Sequence, residues 1–358
     1  MISCPRTRSQ KRQGARCCRL RFFPAALLAL TTWVTPTLAD VLTDCTQVKL
    51  TAKTLDNCTL VIEAGQADKS DLAWAYFNRG TALGMQGQLD RAIADLDKAI
   101  ELNPQWVAAY SNRALAFANK GQPDRAIEDY SQAIRLDAKA AQVYISRGIL
   151  YSNGNKLAEA LADFNAVISI NPRSPVAYFN RASVYRKMQQ QDRAIADYDE
   201  TLRLEPKYVL AHLRRADTYR DLKQYNRAVE DYGHAITLRP KDPFIYYLRG
   251  GAYSDGGLYD QALADYDEAL KMDPRLALAH NGRAWTYFKM GKPADGLPDV
   301  ERALQLQPQL SHAYDTRAHI YEALGRKQEA AADFRKALAL KATILTSREG
   351  LKRLGVAP

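Results

Sequence analysis

The chain has 358 residues, of which 47% are hydrophobic and 25% charged, and its formal net charge is +10 at pH 7. This composition is typical of a folded soluble protein. The positive charge is concentrated at the start, because residues 1–39 contain seven basic residues and no acidic one, which leaves +3 for the remainder. A nucleic-acid-binding function is therefore not favoured, and we expect no nucleic acid among the partners.

Residues 1–39 have the three parts of a secretory signal. A basic stretch precedes the apolar run FFPAALLALTTWV, and the small residues of TPTLAD then predict cleavage after Ala39. Pro24, Pro36 and four threonines make residues 22–39 a poor membrane span. We therefore expect an exported protein, periplasmic or secreted, with no membrane span in the mature chain. An uncleaved leader that anchors the chain in a membrane and an organelle transit peptide are the alternatives.

Cleavage would leave two of the five cysteines, Cys45 and Cys58, both within a segment at 40–72. Two cysteines in an exported chain most simply form one disulfide bond, here between two short helical segments. Lipid attachment at Cys45 is disfavoured, since the preceding VLTD lacks the small residues typical of such sites. Two unpaired core thiols remain the alternative if the chain is not exported.

From Ala73 onward the sequence repeats every 34 residues without an insertion or deletion. Each copy predicts two amphipathic helices, with apolar residues at repeat positions 4, 8 and 11 of the first and 20, 24 and 27 of the second. Position 4 is Tyr or His, position 8 is Gly or Ala, position 20 is Ala in seven copies and position 32 is Pro in six. The eight copies are 73–106, 107–140, 141–174, 175–208, 209–242, 243–276, 277–310 and 311–344.

This period and these residues resemble the tetratricopeptide repeat, over residues 73–344. The resemblance implies an all-α fold, a right-handed α-solenoid of helix-turn-helix units whose first helices line a concave groove. Residues 40–72 resemble a degenerate leading unit that would form an N-terminal cap. Residues 345–358 are expected to form a C-terminal capping helix and tail, because the ends of a solenoid need polar outer faces.

Two local features of the repeats lead to further expectations. Acidic or amide residues at position 18, such as Asp90 and Asp124, are suited to cap the second helix. In the seventh copy Gly296 replaces the usual alanine and Pro298 follows two residues later, so we expect a locally weaker second helix, in whose first turn the proline is either tolerated or delays the start of the helix.

An arginine occupies position 7 of every copy, and an aspartate follows it sixteen residues later. Eight fixed pairs of opposite charge are hard to explain as eight separate ligand contacts, so we interpret them as structural ion pairs between paired helices or neighbouring units. The pairs are Arg79 with Asp95, Arg113 with Asp129, Arg147 with Asp163, Arg181 with Asp197, Arg215 with Asp231, Arg249 with Asp265, Arg283 with Asp299 and Arg317 with Asp333.

Positions 2, 5, 6, 9, 12 and 13 of the first helices are expected to face the groove. The resemblance implies that an asparagine at position 6 can bond the backbone of an extended peptide, since an amide both donates and accepts. Arginines beside aromatic groups favour an acidic or C-terminal carboxylate segment with an apolar anchor. The candidate ligand-binding residues are Asn78, Asn112, Asn180, Phe179, Arg186, Lys187, Arg214, Arg220 and Tyr247.

Other classes of site are not supported. The carboxylate clamp of chaperone-binding relatives needs Lys at position 5 and Asn at position 9 of an early repeat, where this chain has Phe77 and Thr81. His312 and His319 lie on one helical face but lack a clear third metal ligand. No phosphate loop or nucleophile motif is present. We therefore expect a protein that is not an enzyme and has no cofactor or metal.

The sequence thus favours an interaction scaffold that binds an extended peptide or a partner protein in the groove. The alternative is an envelope assembly or tethering factor that self-associates or acts through its convex surface.

Overall fold

A computed structural model of the chain describes residues 38–46, 52–341 and 343–357. Residues 1–37, and with them nearly all of the predicted signal peptide, lie outside these ranges. The described residues form nineteen α-helices and no strand. The helices are α1 Leu38–Thr46, α2 Ala52–Ala64, α3 Lys69–Met85, α4 Leu89–Leu102, α5 Val107–Asn119, α6 Pro123–Leu136, α7 Ala141–Asn153, α8 Leu157–Ile170, α9 Pro175–Lys187, α10 Gln191–Leu204, α11 Val209–Asp221, α12 Tyr225–Leu238, α13 Pro243–Asp255, α14 Tyr259–Met272, α15 Ala277–Lys289, α16 Pro293–Leu306, α17 Ser311–Ala323, α18 Lys327–Leu340 and α19 Leu345–Arg353.

Each 34-residue copy from α3 to α18 contributes one pair of helices, and each pair packs against the next. The all-α solenoid predicted from the sequence is confirmed. The alanines at position 20 are fully buried, for example Ala92 and Ala126, as are aromatic rings at position 24 such as Tyr198 and Phe164. The small residue at position 8 permits this packing: a Cβ on Gly250 would lie 3.0 Å from the Tyr266 ring. The core is therefore a continuous layer between first and second helices rather than one central cluster.

The turn inside each pair depends on one residue at position 15 with positive φ. Five copies place glycine there, with φ between +73° and +78°. Asn155, Gln189 and Lys223 occupy the same position in the third to fifth copies with φ of 58–59°. The left-handed backbone conformation of this turn is thus kept even in copies where the residue has a side chain that disfavours it.

The expected caps at position 18 are wrong. Helices α4, α6, α10, α12 and α14 begin at position 17, and their N-cap residues at position 16 make no side-chain cap hydrogen bond. Asp90 and Asp124 therefore lie inside the first turn. A negative charge is favourable there through the helix dipole instead of through capping.

In the seventh copy Pro298 is tolerated and does not delay the start of the second helix. Helix α16 begins at position 17 and has 14 residues, like its counterparts, with Pro298 inside it. Gly296 has a separate role, because a Cβ there would lie 2.7 Å from the carbonyl oxygen of Ala284. The backbones of α15 and α16 approach more closely than an alanine would allow.

Short helices cover the two ends of the stack. Helices α1 and α2 pack on each other and on α3, joined by a disulfide bond between Cys45 and Cys58, as predicted. At the other end α19 packs against α17 and α18 and is followed by Gly355 with a φ of +71°. None of the helices in the described part of the chain combines the length and apolar character needed to cross a bilayer.

Candidate functional site

The eight arginines at position 7 are engaged inside the solenoid. In every copy the Arg Nε and one terminal nitrogen donate to the two carboxylate oxygens of the aspartate at position 23, over 2.6–3.0 Å. These bidentate contacts join the first helix of a pair to its second. The arginines are consequently not available to a ligand without breaking the pair.

Most of these arginines also reach the preceding unit. The remaining terminal nitrogen donates to position 25 of the previous second helix: Arg113 to Asp97 at 2.6 Å, Arg147 to Ser131 at 2.8 Å and Arg181 to Asn165 at 2.7 Å. The hydrogen bond with Asp129 holds the pKa of Arg113 above its ordinary value, against the opposing effect of burial, and Asp97 adds to the increase. One side chain thus connects three helices.

Asn78 does not have the predicted role in the groove. Its side chain is buried, and its amide donates to the backbone carbonyl of Cys45 over 2.7 Å. The residue therefore fastens α1 to α3. The sequence could not show this contact, because Asn78 has the same repeat position as Asn112 and Asn180. Only the packing of α1 over α3 distinguishes it from them.

The two other asparagines at position 6 line pockets between first helices. Asn112 donates its amide to the Thr81 hydroxyl at 2.9 Å, and Asn180 donates to the Val176 carbonyl at 2.8 Å. Asn180 lines a central cavity of about 610 Å³ built from α7, α9 and α11. Asn112 lines a cavity of about 300 Å³ between α3 and α5.

The central pocket combines apolar, amide and charged groups. Phe179, Ile149 and Leu210 supply apolar surface, and Tyr198 lies at its buried side. Five of the predicted residues meet here: Phe179, Asn180, Arg186, Lys187 and Arg214. Ile149, Ser152, Gln191 and Leu210 were not singled out from the sequence, although three of them occupy the predicted groove positions 2, 9 and 12.

The arginines of the central pocket are largely neutralised. Arg186 lies 2.9 Å from Asp221 and 3.7 Å from Asp217, and Arg214 lies 3.2 Å from Asp217. Burial opposes charge on Arg186, but the hydrogen bond with Asp221 and the charge of Asp217 raise its pKa. The pocket is therefore less cationic than the basic residues alone suggested.

Lys187 differs from these arginines. Its ammonium group donates to the carbonyl oxygen of Ser152 at 2.7 Å and to the Ser152 hydroxyl at 3.1 Å. Among the residues that the structure describes, it has no carboxylate within ion-pair distance. Its charge is the one in this pocket that remains unbalanced.

Arg220 and Tyr247 belong to a separate cavity of about 270 Å³ toward the C-terminal end of the groove, called the C-terminal pocket here. Arg220 forms an ion pair with Asp255 at 2.7 Å. Burial raises the pKa of Tyr247, so this phenol is neutral. The predicted binding residues thus divide between two pockets rather than forming one site.

Large exposed apolar side chains are concentrated on the first helices. They occupy the predicted groove positions 2, 9 and 13 and pass from one helix to the next through the first six copies. This apolar stripe consists of Trp74, Met85, Leu115, Ile149, Val176, Leu210 and Phe244. Exposed apolar side chains that recur on one side of successive units make this stripe a candidate interaction surface.

Three of the five histidines are held by packing or by polar contacts inside the solenoid. His212 and His280 occupy position 4, and each contacts the position-23 aspartate through Nδ1 and a proline carbonyl through Nε2. His319 is buried among Trp285, Phe288 and Phe334. Within residues 38–46, 52–341 and 343–357, no group of three or more His, Cys, Asp or Glu side chains could hold a metal ion.

Comparison with known proteins agrees with this architecture. Models of the tetratricopeptide repeat match residues 73–105, 107–139, 141–174, 175–208 and 311–344, and a further TPR repeat model matches 216–257 and 252–291. No curated protein sequence matches the chain.

Solved structures show the same fold. A tetratricopeptide repeat protein from Parabacteroides merdae is 25% identical, with a TM-score of 0.61, and the match covers 70% of this chain and 98% of that one. PilF of Pseudomonas aeruginosa is 20% identical, with a TM-score of 0.52, and the match covers 60% of this chain and 98% of that one. With repeat models matching well over half of its length, the chain belongs to the tetratricopeptide repeat family.

Proposed function

We propose that the protein is a non-enzymatic scaffold that binds an extended segment of a partner protein across its first helices. The observation that carries this proposal is the apolar stripe running into the central pocket. Repeats of this family generally bind proteins or peptides, and a stripe that crosses several units suits an elongated ligand better than a compact small molecule. The polar rim of Asn153, Asn180 and Gln191 would bond the ligand backbone.

The central pocket favours a segment with an apolar side chain and a nearby carboxylate. Phe179, Ile149 and Leu210 provide the surface for the apolar anchor. Lys187 provides the charge that a carboxylate would balance, whether from an acidic side chain or from a C-terminus. Because Arg186 and Arg214 are already paired, one carboxylate fits this pocket better than a run of acidic residues.

We further propose that binding takes place outside the cytoplasm, in the periplasm or after secretion. The disulfide bond between Cys45 and Cys58 supports this, because such bonds persist mainly in oxidising compartments. Both cysteines are fully buried, and the bond joins the two helices that cover the first repeat.

The test is selection of peptides from a random display library on the full chain, followed by affinity measurements on variants. Leu210→Asp places a charge in the central pocket, and we expect it to weaken the selected peptides at least tenfold. Ile170→Asp is the matched control, because Ile170 is similarly exposed (37% against 46%) but lies on a second helix.

Lys187→Met tests the carboxylate separately. Peptides that carry a carboxylate should lose affinity on this substitution, and the loss should shrink at high salt. Selected peptides that bind Leu210→Asp as tightly as the unchanged protein would refute the groove proposal. They would favour action through the convex surface or self-association.

A further inference from the structure

We propose that the C-terminal pocket binds the guanidinium group of an arginine side chain from the partner segment. This inference rests on the proposed function and names a second contact of the same groove. The residues that support this inference are two hydrogen-bond acceptors at position 5 of consecutive repeats, Asn281 and Asp315. The aromatic side chains of Tyr247 and Trp285 line the same pocket.

The first acceptor is the side-chain oxygen of Asn281. It is buried and has no hydrogen-bond partner. An unbonded buried carbonyl oxygen costs free energy, and a turn of the Asn281 side chain toward the pocket would let a ligand N–H satisfy it. Neighbouring copies have Tyr247 or Asp315 at this position, so the amide belongs to this pocket and not to the repeat pattern.

The second acceptor is the carboxylate of Asp315, which is 8% exposed. It accepts hydrogen bonds from the hydroxyl groups of Thr346 at 2.9 Å and Ser347 at 2.5 Å. Within the described residues, no lysine or arginine nitrogen lies within 4.0 Å of it, and the nearest ring nitrogen of His319 is 3.9 Å away. A carboxylate held by neutral hydroxyl groups in a buried position is stabilised by an incoming cation.

The other charged groups of the pocket do not repel such a cation strongly. Arg220 and Lys289 both pair with Asp255, at 2.7 and 3.6 Å. Burial, and then the neighbouring Lys341, lower the pKa of His312, which is therefore neutral at pH 7. Lys289 lies outside the lining of the pocket, so Arg220 is the one full positive charge among the described lining residues, against the two carboxylates of Asp255 and Asp315.

Aromatic side chains complete the site. Trp285 is partly exposed and stacked on Phe288, with ring centroids 5.0 Å apart, so its orientation is fixed. The Tyr266 ring packs directly against Gly282, where a Cβ would lie 2.7 Å from it, and so forms a close-packed wall of the pocket. A planar guanidinium group can stack on an indole and donate to two acceptors at once, whereas an ammonium group has no planar fork.

The probe is N-acetyl-L-arginine methylamide, and its citrulline counterpart is the matched control, because citrulline has nearly the same shape without the charge. The full chain is labelled with 5-fluorotryptophan, and Trp285→Phe identifies the Trp285 signal in fluorine NMR. We expect the arginine probe to shift this signal in a saturable way. Citrulline should bind at least about tenfold more weakly, since it lacks the charge-assisted hydrogen bonds.

Asn281→Leu should reduce affinity for the arginine probe several-fold. Gln307→Leu, which changes an exposed amide outside both pockets, should leave that affinity unchanged. A Trp285 signal that does not move, or that moves equally with citrulline, would overturn this inference. Peptide binding that still depends on Leu210 would in that case leave the proposed function standing, so the two can fail separately.

Discussion

At the scale of single residues, six of the eight repeated arginines in the described chain link three helices rather than two, all except Arg249 and Arg317. Their Nε and one terminal nitrogen hold the aspartate of their own unit, and the other terminal nitrogen reaches the unit before. Arg249 is an exception, because the preceding unit has Gly233 at position 25 and offers no side-chain acceptor. Arg249 and Asp265 therefore form the simplest pair in which to measure the contact inside one unit.

Asp265→Ala should destabilise the protein by about 3 kcal/mol, because it leaves Arg249 partly buried without its partner. Adding Arg249→Met should recover much of this loss. Urea unfolding and hydrogen exchange in α13 and α14 measure both effects. The exposed pair Lys271 and Glu268 on α14 is the control, and its removal should change little. Strictly additive losses from Asp265 and Arg249 would contradict direct pairing.

Asp231 gives these pairs a pH dependence. Burial opposes its charge, but hydrogen bonds from Arg215 and His212 lower its pKa below the ordinary value of 3.8. A carboxyl group whose pKa is depressed by folding stabilises the protein above its unfolded value, and this contribution disappears as the pH falls through the folded value. We therefore expect Asp231→Asn to lower the free energy of unfolding, and to lower it by more at pH 7 than at pH 3. An equal difference at both pH values in urea unfolding would argue against the charged pair.

At the scale of helices and turns, three copies have a residue other than glycine at position 15, although glycine is the residue that suits the positive φ of this turn. Lys223 has a φ of 59°, a left-handed conformation that side chains disfavour. Lys223→Gly should stabilise the protein by up to about 1 kcal/mol after the entropy cost of glycine is subtracted. Gly257→Ala in the next copy should have the opposite sign. Thermal unfolding of both variants checks this, and destabilisation by Lys223→Gly would contradict the assigned strain.

Two glycines make a second comparison at this scale. Gly296→Ala restores the residue found in the seven other copies, yet it should destabilise by about 1–3 kcal/mol, because the new Cβ would meet the Ala284 carbonyl. Gly233→Ala should stabilise by roughly 0.5–1 kcal/mol, since its nearest new neighbour would be Arg249 at 3.8 Å. Urea unfolding of the two variants measures both effects. A stabilising Gly296→Ala would refute the close approach of α15 and α16.

The sequence predicted the helix pairs and the disulfide bond because each depends on residues within one period or on a single pair of cysteines. It did not predict the burial of Asn78, which depends on α1 lying over α3. It also did not show that Arg186 is paired with Asp221, because the two residues meet only after neighbouring first helices are packed. These two errors fall where two units touch, which one period of sequence cannot show, whereas the N-cap was misplaced by two residues inside a unit.

At the scale of the whole molecule, the solenoid separates stability from recognition. The buried layer and the arginine links run between first and second helices, while the apolar stripe lies on the open side of the first helices. Stacked repeats contact only their neighbours, so side chains on that open side can vary without loss of the fold. Helix α1 covers the first repeat through Asn78, and α19 covers the last through Asp315.

The central claim, that partners bind across the first helices, is tested most directly by site-specific photo-crosslinking in the producing cell. A photoreactive residue replaces Leu210 in the central pocket or, as the control, Leu258 in the turn before α14, two positions of similar exposure. We predict a discrete cross-linked partner from position 210 and none from position 258. Cross-links from position 258 alone, or the same partner from both positions, would contradict binding across the first helices.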